Sequence, residues 1–160
     1  MTIPNKAIKR LLAITLLIAM IACSGCTPPE QATHTDFIQI SHGWPKQTPL
    51  HFHPQMPDTA KSYKLDIAIR RYNRFAYTTL PLTIDLIDST HHVQRLQIDI
   101  PITDSHGNQL GTGFGNLYQH RINITHSVNP RKLRKINVWH RLDTLISDIT
   151  EIGIFATPEK

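Results

Sequence analysis

Two thiols carry the most legible chemistry in this chain. Cys23 and Cys26 close an N-terminal stretch in which Lys6, Lys9 and Arg10 precede an apolar run from Leu11 to Ala22. A basic start, a greasy middle and small residues at the end (Ser24 and Gly25) describe an export signal. As a helix that run reaches about 18 Å, well short of the roughly 30 Å core of a bilayer. It can enter a translocon but spans poorly. A cysteine at this position is what a bacterial lipoprotein signal offers for acylation. Cys23 has Met20 three places before it and Ala22 immediately before it, the aliphatic and small residues that processing prefers. Cys26 has Ser24 and Gly25 before it but a thiol where the aliphatic side chain is expected. Cys23 is therefore the favoured site and Cys26 the alternative. A diacylglyceryl group supplies two chains, enough for stable anchoring without a transmembrane helix.

The remaining candidates are weaker. Gly111, Gly113 and Gly115 in LGTGFG resemble a phosphate loop, but Asn116 stands where the dinucleotide fingerprint needs its third glycine. Leu117, Tyr118 and Gln119 follow as strand rather than helix, so the glycines read as a bulge, a positive φ or a close backbone approach. His51 and His53 would share one face of a strand, a usable pair of metal ligands, and His91 and His92 sit together in a turn. No third ligand has a recognisable spacing to either pair. Metal and cofactors are accordingly not expected.

Asp66, Asp85, Asp99 and Asp104 fall on outward phases or turns, where carboxylates ordinarily serve solubility. No serine or cysteine has neighbours that suggest activation, and no catalytic residue is assigned. Arg131, Lys132, Arg134 and Lys135 form one basic run and Arg70, Arg71 and Arg74 another. Both read as solvated charge, with anionic headgroups or an acidic partner as the functional alternative. Trp44, Phe75, Tyr77 and Trp139 close the ends of a core or, with Arg131, anchor a partner or a sugar.

The elements that must position these residues are mostly strands. Leu65, Ile67 and Ile69 alternate with Asp66 and Ala68; Leu80, Leu82, Ile84 and Leu86 alternate with Pro81, Thr83 and Asp85. Leu96, Ile98, Ile100 and Ile102 repeat the pattern, as do Ile122 with Ile124, Ile136 with Val138, and Ile152 with Ile154. One apolar and one wetted face per strand describes antiparallel sheet covered on one side. Asp88 to His92 and Asp104 to Asn108 are turn-rich breaks. Pro81 and Pro101, inside strand-like runs, suggest edge positions or strand ends. Leu142 to Asp148 could form a turn or two of helix. The fold expected is all-β, an antiparallel β-sandwich with a jelly-roll-like arrangement as one version.

Removal of residues 1–22 as signal leaves 138 residues of the 160. Residues 23–36 form the lipidated N-terminus and a polar, proline-bearing tether, and 37–160 a single domain. The mature chain carries 14 basic against 12 acidic residues, too weak a balance to argue for nucleic acid. No cysteine follows Cys26, so packing rather than disulfides must hold the domain, and thiolate zinc sites are excluded.

The order of landmarks resembles the gliding-motility lipoprotein H (GldH) family of the Bacteroidota. The signal is followed by Gly43 and Trp44, then YKLDIAIR from Tyr63, FAYTTLPLTIDL from Phe75, ITDSHGNQLGTGFGNLYQ from Ile102 and ITEIGI from Ile149. The resemblance implies an anchored, non-enzymatic envelope lipoprotein, linked in gliding species to the motility machinery and its associated secretion system. It brings no catalytic residues. The chain departs from the family pattern at His140 and Arg141, where relatives tend to have a methionine–arginine pair.

The leading reading is thus a sandwich tethered to an envelope membrane, in the periplasm or on the outer membrane, acting as an interaction or assembly component with an envelope protein partner. No small-molecule substrate is expected of it. The alternatives are a carbohydrate-binding module using Trp44 or Trp139, and a metal-dependent enzyme using His51 and His53. Cells grown with labelled palmitate should label the wild-type protein, and replacing Cys23 and Cys26 together should abolish the label and release the protein from membranes. An unlabelled wild type that washes off as a soluble species would overturn the anchor.

Overall fold

A computed structural model describes residues 34–159. The signal, both cysteines and most of the tether lie outside the described residues. Nine strands follow one another: β1 (His34–Gln39), β2 (Leu50–Phe52), β3 (Tyr63–Tyr72), β4 (Thr79–Asp88), β5 (Val93–Pro101), β6 (Thr112–Phe114), β7 (Leu117–Val128), β8 (Leu133–His140) and β9 (Ile149–Pro158). They form two antiparallel sheets, ordered β1-β9-β3-β7-β6 and β2-β8-β4-β5. The chain crosses between the sheets at almost every step, and β6 aside this interleaving is the strand order of a jelly roll.

The period-two pattern sets which face is dry. Register places Leu65, Ile67 and Ile69 of β3 beside Ala156, Ile154 and Ile152 of β9, and all six are fully buried. In the other sheet Leu82, Ile84 and Leu86 of β4 lie beside His140, Val138 and Ile136 of β8. These two inner faces and Phe52, Leu80, Ile100 and Ile102 make one continuous core. The edge strand β5 is less covered, with Leu96 and Ile98 only half-buried.

Several local expectations change. Residues 142–148 form no helix; Trp44 and Ile146 pair as an isolated antiparallel bridge, which holds that segment extended. Strand β1 begins at His34, inside the stretch assigned to the tether. Pro81 lies within β4, an interior strand, yet where β8 runs out: its carbonyl accepts the Arg141 N–H at 2.9 Å. A strand residue's N and C=O point to the same side, so the missing N–H falls at the frayed end of that ladder. Pro101 ends the edge strand β5, as expected.

The LGTGFG glycines serve the β6–β7 hairpin. A Cβ on Gly111 or Gly113 would lie 2.4 or 2.6 Å from a backbone oxygen of β7, so only glycine permits that approach. Gly115, at φ 63°, opens a two-residue turn with Asn116 between the paired Phe114 and Leu117. A glycine with positive φ at the first turn position matches the twist of the flanking strands.

On the outer face of the five-stranded sheet, Phe37 lies across Gly153. A Cβ there would sit 2.4 Å from the Phe37 ring. That ring meets Phe155 edge-on at 5.5 Å, and the Arg70 guanidinium lies 4.4 Å from its centroid. Gly153→Val should therefore lower stability by about 1–3 kcal/mol in denaturant unfolding, by expelling the ring. Adding Gly153→Val to Phe37→Ala should cost far less than it does alone, because the obstruction is gone. Equal costs in both backgrounds would disprove the packing account.

Candidate functional site

Antiparallel topology sorts every connection to one of two ends. The chain enters at His34 beside Ala156, and the 53–62, 89–92 and 129–132 connections lie at that end. We call it the tether end. The 40–49, 73–78, 102–111 and 141–148 connections and the Gly115–Asn116 turn lie at the other, the far end.

The five aromatic and basic residues picked from the sequence are not brought together. Trp44 is 1% exposed. Its indole N–H donates to the Thr48 carbonyl at 2.8 Å, and its ring meets His140 edge-on at 5.0 Å. It ties the β1–β2 connection to the β8–β9 connection and offers no surface to a partner. Phe75 is buried too, with its ring 5.5 Å from the exposed Tyr77. Trp139 lies half-buried on the outer face of the four-stranded sheet, beside Thr83 and with the Arg95 guanidinium 5.8 Å from its ring. Arg131 is exposed at the tether end, paired with Asp58 at 3.2 Å. Of the two tryptophans that could stack on a sugar, only Trp139 is accessible.

The carboxylates also depart from expectation. Asp66 and Asp85 sit on outward phases but are buried beneath arginines from the neighbouring strand. Asp85 accepts two parallel bonds from Arg95, at 2.7 and 2.8 Å, and Asp66 accepts from Arg121 at 2.8 Å and Asn123 at 3.0 Å. The turn carboxylates behave as the sequence suggests. Asp88 accepts from the Thr90 hydroxyl and from the N–H groups of Thr90 and His92, and Asp104 from the Asn108 side-chain amide and from the N–H groups of Asn108 and His106, bonds that hold both carboxyls below the usual range.

The arginine run that spans the end of β3 splits three ways. Arg70 pairs with Glu151 and Arg74 with Asp148, while Arg71 is fully buried. Its Nη2 donates to the carbonyls of Ile102 and Leu110, both at 3.2 Å, clasping the two stems of the 102–111 connection onto β3. Burial pulls that guanidinium below its ordinary range, against the opposing influence of Tyr118.

His51 hydrogen-bonds Asn137 at 2.6 Å, whereas His53 lies beyond the end of β2 beside Arg134 and Lys135. Among the described residues no three histidine, cysteine or acidic side chains converge as metal ligands.

The two ends differ in surface chemistry. At the far end Lys46 pairs with Asp143, Arg74 with Asp148 and Arg141 with Asp99, and no formal charge is left over among these. The same end exposes apolar side chains: Phe114 at 96% and Leu145 at 54%, with Leu117 opposite Phe114 in the hairpin. Sequence reasoning passed over Phe114 because it looked only at the glycines around it. The Gly-Asn turn immediately after it was the available signal, since a two-residue turn places its flanking pair at the tip.

A sequence profile of the GldH lipoprotein family matches residues 33–155. The chain belongs to the GldH lipoprotein family. Lipoproteins of this kind are membrane-anchored, and among the described residues no helix is long and apolar enough to cross a bilayer. No curated protein matches the chain. A chain in the structure of the infectious bursal disease virus Gx strain aligns at 13% identity and a TM-score of 0.26, over 82% of this chain and 34% of that one. The GldH chain thus spans about a third of that viral chain, a likeness too low to bear on fold or function.

His140 gives the far end a pH dependence. A carbonyl can only accept, so the 3.1 Å contact to the Trp44 oxygen places the proton on Nε2, and the buried Nδ1 has no partner. Burial lowers its pKa from the ordinary 6.5, opposed by the carbonyls of Trp44, Pro45 and Leu142. His120 is lowered by burial as well. The unfolded chain then binds more protons below that value, so the stability is present above pH 6.5 and lost as pH falls through the lowered pKa. Thermal midpoints should drop between about pH 7 and about pH 5, and His140→Gln should flatten the slope while His120 retains its share. An unchanged slope in the variant would exclude His140 as a source.

Proposed function

We propose that this GldH-family protein is a non-enzymatic, lipid-anchored component of the cell envelope that holds a protein partner at the far end of its sandwich. Acylation at Cys23, or at Cys26, fixes one end of the chain to the membrane. The observation that carries the reading is Phe114, 96% exposed at the tip of a hairpin closed by the two-residue Gly115–Asn116 turn. A bare phenyl ring at a hairpin tip offers a partner a large apolar area with only two side-chain torsions to fix. Leu117, Leu145 and Tyr77 extend apolar surface at the same end, and its internally paired charges oppose no partner of either sign.

In gliding relatives the family's association with motility makes an envelope motility or secretion complex the partner to look for. Among the described residues the buried carboxylates are spent on arginines, and the Ser105 hydroxyl meets its exposed neighbour His106 at 3.3 Å with no carboxylate bonded to that ring.

A photo-crosslinking side chain at position 114 should trap an envelope protein in living cells, whereas the same group at Ser89, at the tether end, should not trap that protein. Phe114→Ser should leave folding and anchoring intact and release the chain from the trapped complex. A Phe114→Ser protein that still co-purifies with its complex at wild-type yield would refute this site.

A further inference from the structure

We propose that the tether end of the sandwich is a second, electrostatic contact with the membrane: a cationic foot that seats on anionic phospholipid headgroups and sets the orientation of the domain. The inference rests on the anchor proposed above and goes beyond it. Lys61, Lys132, Arg134 and Lys135 all lie at or beside the 53–62 and 129–132 connections. None of the four has a carboxylate within ion-pair distance among the described residues.

Of three carboxylates at this end, one is neutralised by a cation and two keep their charge against neutral donors. Asp58 pairs with Arg131, Asp88 caps the N–H groups of its own turn, and Glu159 accepts from Ser127 N–H at 2.8 Å and faces His126 at 3.0 Å. Lys61, Lys132, Arg134 and Lys135 thus outnumber Asp88 and Glu159, whereas at the far end Lys46, Arg74 and Arg141 each pair with a carboxylate and Arg71 is buried on carbonyls.

Chain connectivity selects the occupant. From Cys23 to His34 is eleven residues, a span of at most about 40 Å when fully extended. Whatever path those residues take, the bilayer lies within that reach of the cationic end. Attraction to a headgroup surface is screened over roughly 8 Å at physiological salt, so it acts only when this end touches. Tethering supplies that opportunity continuously, because the contact is intramolecular once the lipid is inserted. An acyl anchor joined to a basic patch is a recurring two-signal arrangement. Seating this end also points Phe114 away from the bilayer, toward a partner.

The test uses the lipidated full chain, purified from membranes and reconstituted into vesicles of phosphatidylcholine alone or mixed with phosphatidylglycerol. Amine acetylation is read by mass spectrometry at Lys132 and Lys135, with Lys46 of the far end as internal reference. Phosphatidylglycerol should slow labelling of Lys132 and Lys135 by at least about three-fold relative to Lys46, and high salt should restore it. Lys132→Glu with Arg134→Glu, both at exposed positions, should abolish the protection of Lys135. Protein that sediments with both vesicles and labels equally in each would overturn the foot, leaving the patch to an acidic protein. Protein that sediments with neither would remove the anchor and the foot together.

Discussion

Burial of one alternating face of each sheet against the other is the interaction on which the rest of this structure depends. No cysteine follows Cys26, so nothing covalent braces the sandwich. The isoleucines and leucines of β3, β4, β8 and β9 must fix both the spacing of the sheets and the register of each strand. A slip of β3 by one residue would turn Ile67 outward and Asp66 inward, away from Arg121, so the core also enforces the outer-face pairings. Those pairings are sterically and electrostatically finished: Phe37 on Gly153, Arg95 on Asp85, Arg121 on Asp66. Both sheet faces are therefore largely consumed by self-interaction. What remains for other molecules is chiefly at the two ends, with Trp139 accessible on the outer face of the four-stranded sheet.

This explains what the sequence disclosed and what it withheld. Period-two alternation is a property of one strand, and it located the inner face of every long strand from Leu65 to Ile154. Turn chemistry is equally local, so the Asp88 and Asp104 turns were legible from a few residues each. Partnership across strands is not local. Asp66 reads as a solvated carboxylate until register brings Arg121, fifty-five positions away, over it. Arg71 reads as one of three surface arginines until the 102–111 connection arrives to be clasped. The absent helix at 142–148 has the same origin, for its pattern is overruled by a bridge to Trp44 on the opposite side of the sequence. Family membership, by contrast, was visible in the order of landmarks, because it needs no partner to be known.

The candidate site shows the same division. Arg131 and its basic neighbours were conspicuous as a run, yet only the topology places them beside the point where the tether enters. Trp44 was attractive as a rare, large side chain and proves to be a core plug, which its hydrogen-bonded indole could not have announced in sequence. Phe114 went unnoticed among glycines. A side chain's availability is set by what packs on it, and packing is the quantity a linear pattern reports least well.

The jelly-roll path itself supplies the polarity between the ends. Because β1 pairs antiparallel with β9 at the sheet edge, the first described residue and the last strand's end lie together, and the tether leaves from the end that also collects the 129–132 turn. The β6–β7 hairpin is an insertion on the opposite edge of that sheet, turned the other way, so its tip is carried to the far end. Charge follows the same division: lysines and an arginine without carboxylate partners where the described chain begins, ion pairs where the phenyl ring stands free. An anchored protein that must present one surface gains most from such a division, because a single strong tether leaves orientation free and an electrostatic seat removes that freedom. The end where the described chain begins and the end that carries Phe114 are separated by the length of a ten-residue strand such as β3, roughly 33 Å, several times the screening distance in physiological salt.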